Sequence, residues 1–139
     1  MRLDDLYRQV IMDHYQHPRN QGSIEGEALS LDMKNPTCGD EITLQLQIED
    51  GIVKDVRFKG VGCSISMASA SMMSEAIKGK TLEDAMALSE EFRKMMKGEE
   101  VDDEELGDLE ALAGVSKFPA RIKCATLAWH ALERTATKS

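Results

Sequence analysis

Three cysteines, Cys38, Cys63 and Cys124, and a carboxylate two residues beyond the first, Asp40, are the groups in this chain best suited to chemistry. Thiolates are nucleophiles and soft metal ligands, and a carboxylate is a hard one. Together they can close a tetrahedral zinc site or hold an iron-sulfur cluster. An oxygen ligand among sulfurs is the easiest to displace, which suits a protein that must release its cargo. Spacing alone leaves other readings open. No two cysteines form a Cys-x-x-Cys pair and the pattern matches no zinc ribbon or finger, while buried cysteines and a turn aspartate beside Gly39 account for the same residues. His14, His17 and His130 have no ligand-like spacing to one another. The first two sit at the end of a helix, where an imidazole complements the dipole. The nine methionines read as core fillers.

The elements that must position these groups follow from periodicity. Leu3, Leu6, Tyr7, Val10, Ile11 and His14 recur at helical spacing until Pro18, which predicts an amphipathic helix over 3–16. Leu29, Leu31 and Met33, and then Ile42, Leu44, Leu46 and Ile48, alternate with polar residues as half-buried antiparallel strands. A third strand runs from Ile52 to about Gly60. A three-residue loop ending at Gly51 pairs Ile48 with Ile52, Leu44 with Val56 and Ile42 with Phe58. A two-residue turn on a regular ladder instead puts Arg57 and Lys59 on the buried face. The three-residue loop places Asp40 opposite Gly60 and Cys38 opposite Gly62, and leaves Lys54 near the apolar side. Ser64 is the expected cap of a helix carrying Ile65 to Ile77, and Thr81 caps the next, with Leu82, Ala85, Leu88, Phe92, Met95 and Met96 inward. A last helix from Pro119 buries Ile122, Ala125, Trp129 and Leu132, and puts Cys124 near its start. Helix N-termini favour thiolates, so Cys63 and Cys124 are expected to be well placed for reactivity or metal binding. The order of elements predicts an α+β sandwich with a three-stranded antiparallel sheet packed against helices.

A length of 139 residues with 42% hydrophobic content fits one domain that buries a core without disulfides. The net charge of −8 is local: residues 98–110 hold eight acids and no base, and the remaining acids and bases balance at 17 each. That stretch reads as a solvated loop or short helix. No basic stripe suggests nucleic acid, and no apolar run suggests a signal or membrane span, so a cytoplasmic, reducing location is expected.

Asp13-His14-Tyr15, His17-Pro18-Arg19-Asn20 with Gly22, Asn35-Pro36-Thr37-Cys38-Gly39-Asp40, Gly60-Val61-Gly62-Cys63-Ser64-Ile65-Ser66 and Arg121-Ile122-Lys123-Cys124 follow one another in this order. Over nearly its whole length the chain resembles the U-type iron-sulfur cluster assembly family, IscU-like and NifU-like. The resemblance implies that Cys38, Asp40, Cys63 and Cys124 meet at one exposed metal site. Lys123 stands where the scaffold branch has a histidine, Ser116-Lys117-Phe118-Pro119-Ala120 replaces its Leu-Pro-Pro-Val-Lys motif, and extra residues cover about 91–112. These features look like the SufU branch, which implies bound zinc and transfer of persulfide sulfur from a SufS-like cysteine desulfurase toward a downstream scaffold complex. On that resemblance Cys38 is the acceptor, Cys63, Cys124 and Asp40 hold the metal, and Arg121 and Lys123 supply positive charge. The alternatives are a non-enzymatic scaffold carrying iron or a [2Fe-2S] cluster, and a structural zinc domain.

Overall fold

The computed structural model describes residues 3–35, 39–99, 101 and 106–137. Helix α1 (Leu3–Gln16) precedes three strands, β1 (Leu29–Asn35), β2 (Asp40–Glu49) and β3 (Ile52–Val61). Helices α2 (Ser64–Ile77) and α3 (Leu82–Met96), a 3₁₀ helix (Gly107–Lys117) and α4 (Pro119–Thr137) follow. The strands form one antiparallel sheet in the order β1-β2-β3. Alternation in β2 buries Asp40, Ile42, Leu44 and Leu46 on one face, and α4 covers β1 and β2 while α2 covers β3. Helix α1 packs against the outer side of α2. The α+β sandwich with a three-stranded sheet is therefore as expected. Among the described residues no helix is long and apolar enough to cross a membrane.

The β2–β3 connection differs from both expected forms. Asp50 and Gly51 have φ of 54° and 76°, a two-residue turn with both central residues left-handed, which matches the twist of the flanking strands. Glu49 pairs with Ile52 and Ile48 with Val53, but Gln47 then pairs with Asp55. Lys54 is thus an extra residue on β3, a bulge. The bulge lets Val53, Val56 and Phe58 all face the core despite their mixed spacing. It also turns Lys54 outward to meet Glu49 at 2.7 Å and leaves Ile52 41% exposed. The register therefore sits two residues from the expected one. Ile42, not Asp40, lies opposite Gly60, while Leu44 pairs with Phe58 and Leu46 with Val56. A shift of two preserves the face, so Asp40 keeps its inward position.

The free edge of β3 is covered at both ends. Phe58 exchanges hydrogen bonds with Asn20 and Gly22, and Val53 does so with Gly79 and Lys80. Such cover prevents the edge from pairing with another chain. Of the two forms expected for the acidic region, its C-terminal part takes the short helix and not the solvated loop. Leu106, Leu109, Leu112 and Val115 are buried, and their spacing of three is the period of a 3₁₀ helix, which aligns them as one inward stripe. Leu109 and Leu112 are fully buried core members, so the acids of this helix ride on an element that the core needs.

Gly60 has φ +151°, and a Cβ there would lie 1.9 Å from the Glu41 carbonyl oxygen, whereas one on Gly79 (φ +87°) meets nothing within 4 Å. Gly60→Ala should cost at least about 2 kcal/mol in urea unfolding through strain and clash, and Gly79→Ala about 1 kcal/mol from the left-handed backbone alone. Equal costs for the two would contradict the close approach of Gly60 to the Glu41 carbonyl.

Candidate metal centre

The site is built where the first residue of β2 meets the start of α2. Asp40 is 2% exposed, with its side chain on the same sheet face as Ile42. Its Oδ1 accepts the backbone N–H of Cys63 at 3.0 Å. Its Oδ2 is buried and has no hydrogen-bond partner among the described residues. A buried carboxyl oxygen without a partner is costly, and this one is available to a ligand. Gly62 makes the approach possible: a Cβ there would lie 2.7 Å from Asp40 Oδ1 and 3.2 Å from the Met67 methyl.

Cys63, rather than the expected Ser64, is the N-cap of α2. Its backbone is extended (φ −73°, ψ 169°) and its Sγ accepts the Ser66 N–H at 3.4 Å. The sulfur therefore sits at the positive end of the helix dipole. Cys63 is partly exposed. Cys124 comes from the second turn of α4, which begins at Pro119 as expected, and is fully buried. The helix dipole acts mainly within the first turn, so Cys63 lies in its field and Cys124 does not. The Sγ atoms of Cys63 and Cys124 and a carboxylate oxygen of Asp40 all lie within 4.8 Å of one another. Three of the four residues expected at the site thus converge, and Cys38 lies outside the described residues. Arg121 and Lys123 are exposed on α4. Val61 and Phe118, 66% and 62% exposed, stand on the segments that lead into Cys63 and into α4.

Two features escaped the sequence reading. Asn35 is buried and pairs with Asp40 across the β1–β2 ladder; only its place in the Asn-Pro-Thr-Cys-Gly-Asp string marked it. Periodicity puts only Ser69 of the α2 serines on the inward stripe, yet Ser66, Ser69, Ser71 and Ser74 are all fully buried. Ser71 Oγ lies 2.8 Å from His14 Nδ1 and accepts the Arg19 N–H at 2.9 Å, and Ser74 Oγ accepts from Asn20 Nδ2 at 3.0 Å. Asp13 pairs with Arg19 at 2.6 Å, and that hydrogen bond holds its carboxyl below the ordinary range. His14 is therefore held by α2 rather than by the end of its own helix. The His-Pro-Arg-Asn segment clamps α1 and its following loop onto the helix that carries Cys63.

Residues 6–125 match the model of the NifU-like N-terminal domain. The chain is 61% identical over 137 residues to a Bacillus subtilis protein named zinc-dependent sulfurtransferase SufU, covering 98% of this chain and 92% of that one. It is 46% identical to a Streptococcus pyogenes protein named iron-sulfur cluster assembly scaffold protein IscU, covering 99% and 87%. A crystal structure from Fervidobacterium islandicum, described as a candidate iron-sulfur cluster assembly scaffold protein for the SUF system, superposes with a TM-score of 0.89 at 36% identity, covering 97% and 99%. With the same fold and site-bearing segments extending along nearly the whole sequence, this chain belongs to the NifU-like N-terminal domain family.

Proposed function

We propose that the chain serves iron-sulfur cluster assembly as a zinc-bound sulfur acceptor, which takes persulfide sulfur from a cysteine desulfurase and passes it to the assembly machinery. The observation that carries this reading is the meeting of two sulfurs and a buried carboxylate, one of whose oxygens lacks a partner. The donor set fits zinc. With bonds of about 2.0–2.3 Å, tetrahedral ligands stand roughly 3.3–3.8 Å apart, a spacing that lies inside the 4.8 Å bounding the three atoms, and Cys124, disulfide-bonded in the structure, would serve as a ligand in its reduced form. Asp40, Cys63 and Cys124 would hold the ion, with Cys38 as the fourth ligand by family resemblance. Bound zinc would keep the thiols deprotonated at neutral pH. The 61% identity to a protein named as a zinc-dependent sulfurtransferase supports zinc over iron, as does Lys123 in the place of a potential histidine ligand.

The chain's own residues divide the work. Asp40, the hard donor, is the ligand most readily exchanged. The Cys38 thiolate attacks the outer sulfur of the donor persulfide. A new sulfur-sulfur bond forms on Cys38, the donor's bond breaks, and its electron pair leaves on the donor cysteine's thiolate. No oxidant or reductant is consumed. Arg121 and Lys123, both exposed beside Cys124, supply positive charge toward the anionic sulfurs.

A scaffold role is the second reading, supported by the 46% identical relative bearing that name, because the same donors suit a [2Fe-2S] cluster. Metal analysis of the purified chain separates the two: one zinc and no iron supports the acceptor, while a stable cluster after anaerobic reconstitution supports the scaffold. Cys38→Ala should abolish uptake of sulfur in a desulfurase assay, and undiminished uptake would remove Cys38 from its role. Gly62→Ala, which pushes on Asp40, should weaken zinc binding about ten-fold in chelator competition, as loss of a supporting contact around a metal does. The same affinity as the parent would show that Asp40 is not a ligand.

A further inference from the structure

Two side-chain oxygens at the site, Asp40 Oδ2 and Ser66 Oγ, are buried without a hydrogen-bond partner among the described residues. The first is a candidate ligand; the second has no role in the chemistry above. Other buried serines of α2 are committed. Ser69 Oγ donates to the Ala125 carbonyl and accepts from Trp129 Nε1, and Ser74 Oγ donates to the Ser71 carbonyl. Ser66 alone among these three has a buried hydroxyl in reserve, and it is the one nearest the cysteine.

Ser66 is the third helical residue after the N-cap Cys63, and its backbone N–H already points at Cys63 Sγ, 3.4 Å away. Helical side chains lean toward the N-terminus, so a polar side chain at the third position reaches back toward the N-cap, usually to its backbone N–H. Here that N–H is taken by Asp40 Oδ1 at 3.0 Å, and a serine hydroxyl can donate. The acceptor remaining at the N-cap is the sulfur. An unpaired buried hydroxyl is destabilising, and alanine would fill the same place without that penalty.

We infer that Ser66 is a positioning residue whose hydroxyl donates to the Cys63 thiolate when the site is loaded, an assignment that rests on the zinc reading. Two hydrogen bonds, from the Ser66 N–H and O–H, then converge on one sulfur. Such outer contacts fix a coordinated thiolate and draw charge from it. Cys63 is thereby kept as the retained, less nucleophilic ligand, and sulfur transfer falls to a different cysteine.

The test compares the full chain with Ser66→Ala, each loaded with zinc and, separately, with cobalt(II). Ser66→Ala should weaken zinc about ten-fold in chelator competition. It should move the thiolate-to-cobalt charge-transfer band to longer wavelength and leave the melting temperature of the metal-free chain unchanged or raised. A lowered metal-free melting temperature with unaltered zinc affinity and cobalt band marks a structural hydroxyl and overturns the assignment. Ser66→Thr and Ser66→Val, matched in size, carry the same comparison if the alanine chain does not fold. Threonine should keep the parent band and valine should shift it, and equal bands overturn the proposal. A parent chain that binds neither ion overturns the zinc reading together with this one, whereas a parent that binds with no effect at position 66 overturns this one only.

Discussion

The hydrogen bond from the Cys63 N–H to Asp40 Oδ1 joins the first residue of β2 to the cap of α2, and the arrangement of the site depends on it. It spans 23 residues of sequence and satisfies an N–H that would otherwise be buried at the turn out of β3. By occupying one carboxyl oxygen it also sets the direction of the other. Because the acceptor is charged when ionised, such a bond is stronger than a neutral one. Gly62 keeps the two segments close enough to form it, and Gly60 lets β3 lie against the Glu41 carbonyl just before. The glycines are therefore spacers for an electrostatic contact, with chain reversal left to Asp50 and Gly51 at the other end of the hairpin.

Much of this was legible in the sequence, and the parts that were not have identifiable causes. Helix α1 ends where Pro18 forbids continuation, and Thr81 caps α3 by accepting the Asp84 N–H at 3.1 Å, both as expected. The hairpin register was misread because neither regular ladder accommodates Val53 and Val56 on one face; only the bulge at Lys54 does. A bulge costs one residue and leaves no compositional mark. Ser64 looked like the better cap because oxygen is the usual acceptor there, but a sulfur in extended backbone took the position. A short helix was among the forms expected for the acidic stretch, but its acids obscured the leucines at intervals of three that carry it into the core.

The convergence of Cys124 with Asp40 and Cys63 is a different kind of case. No local rule relates a residue in the second turn of α4 to a hairpin end. It follows from how α4 lies across β1 and β2 beside α2, with the Ser69 hydroxyl bonded to the Ala125 carbonyl and the Trp129 ring stacked on Phe92 at 4.8 Å. Similarity to a family supplied that arrangement before the coordinates did. The segment around His17 to Asn20 has the structural role expected of its histidine, but as a strap across buried serines of α2.

The three converging donors belong to a strand, a helix cap and a helix interior that are remote along the backbone. In an unfolded chain the loops between them would have to close at considerable entropic expense, so nothing resembling the pocket survives denaturation. Binding at these donors would therefore require complete tertiary packing, and an ion held there would cross-link the strand, the helix cap and the helix interior, favouring the folded chain over the unfolded one.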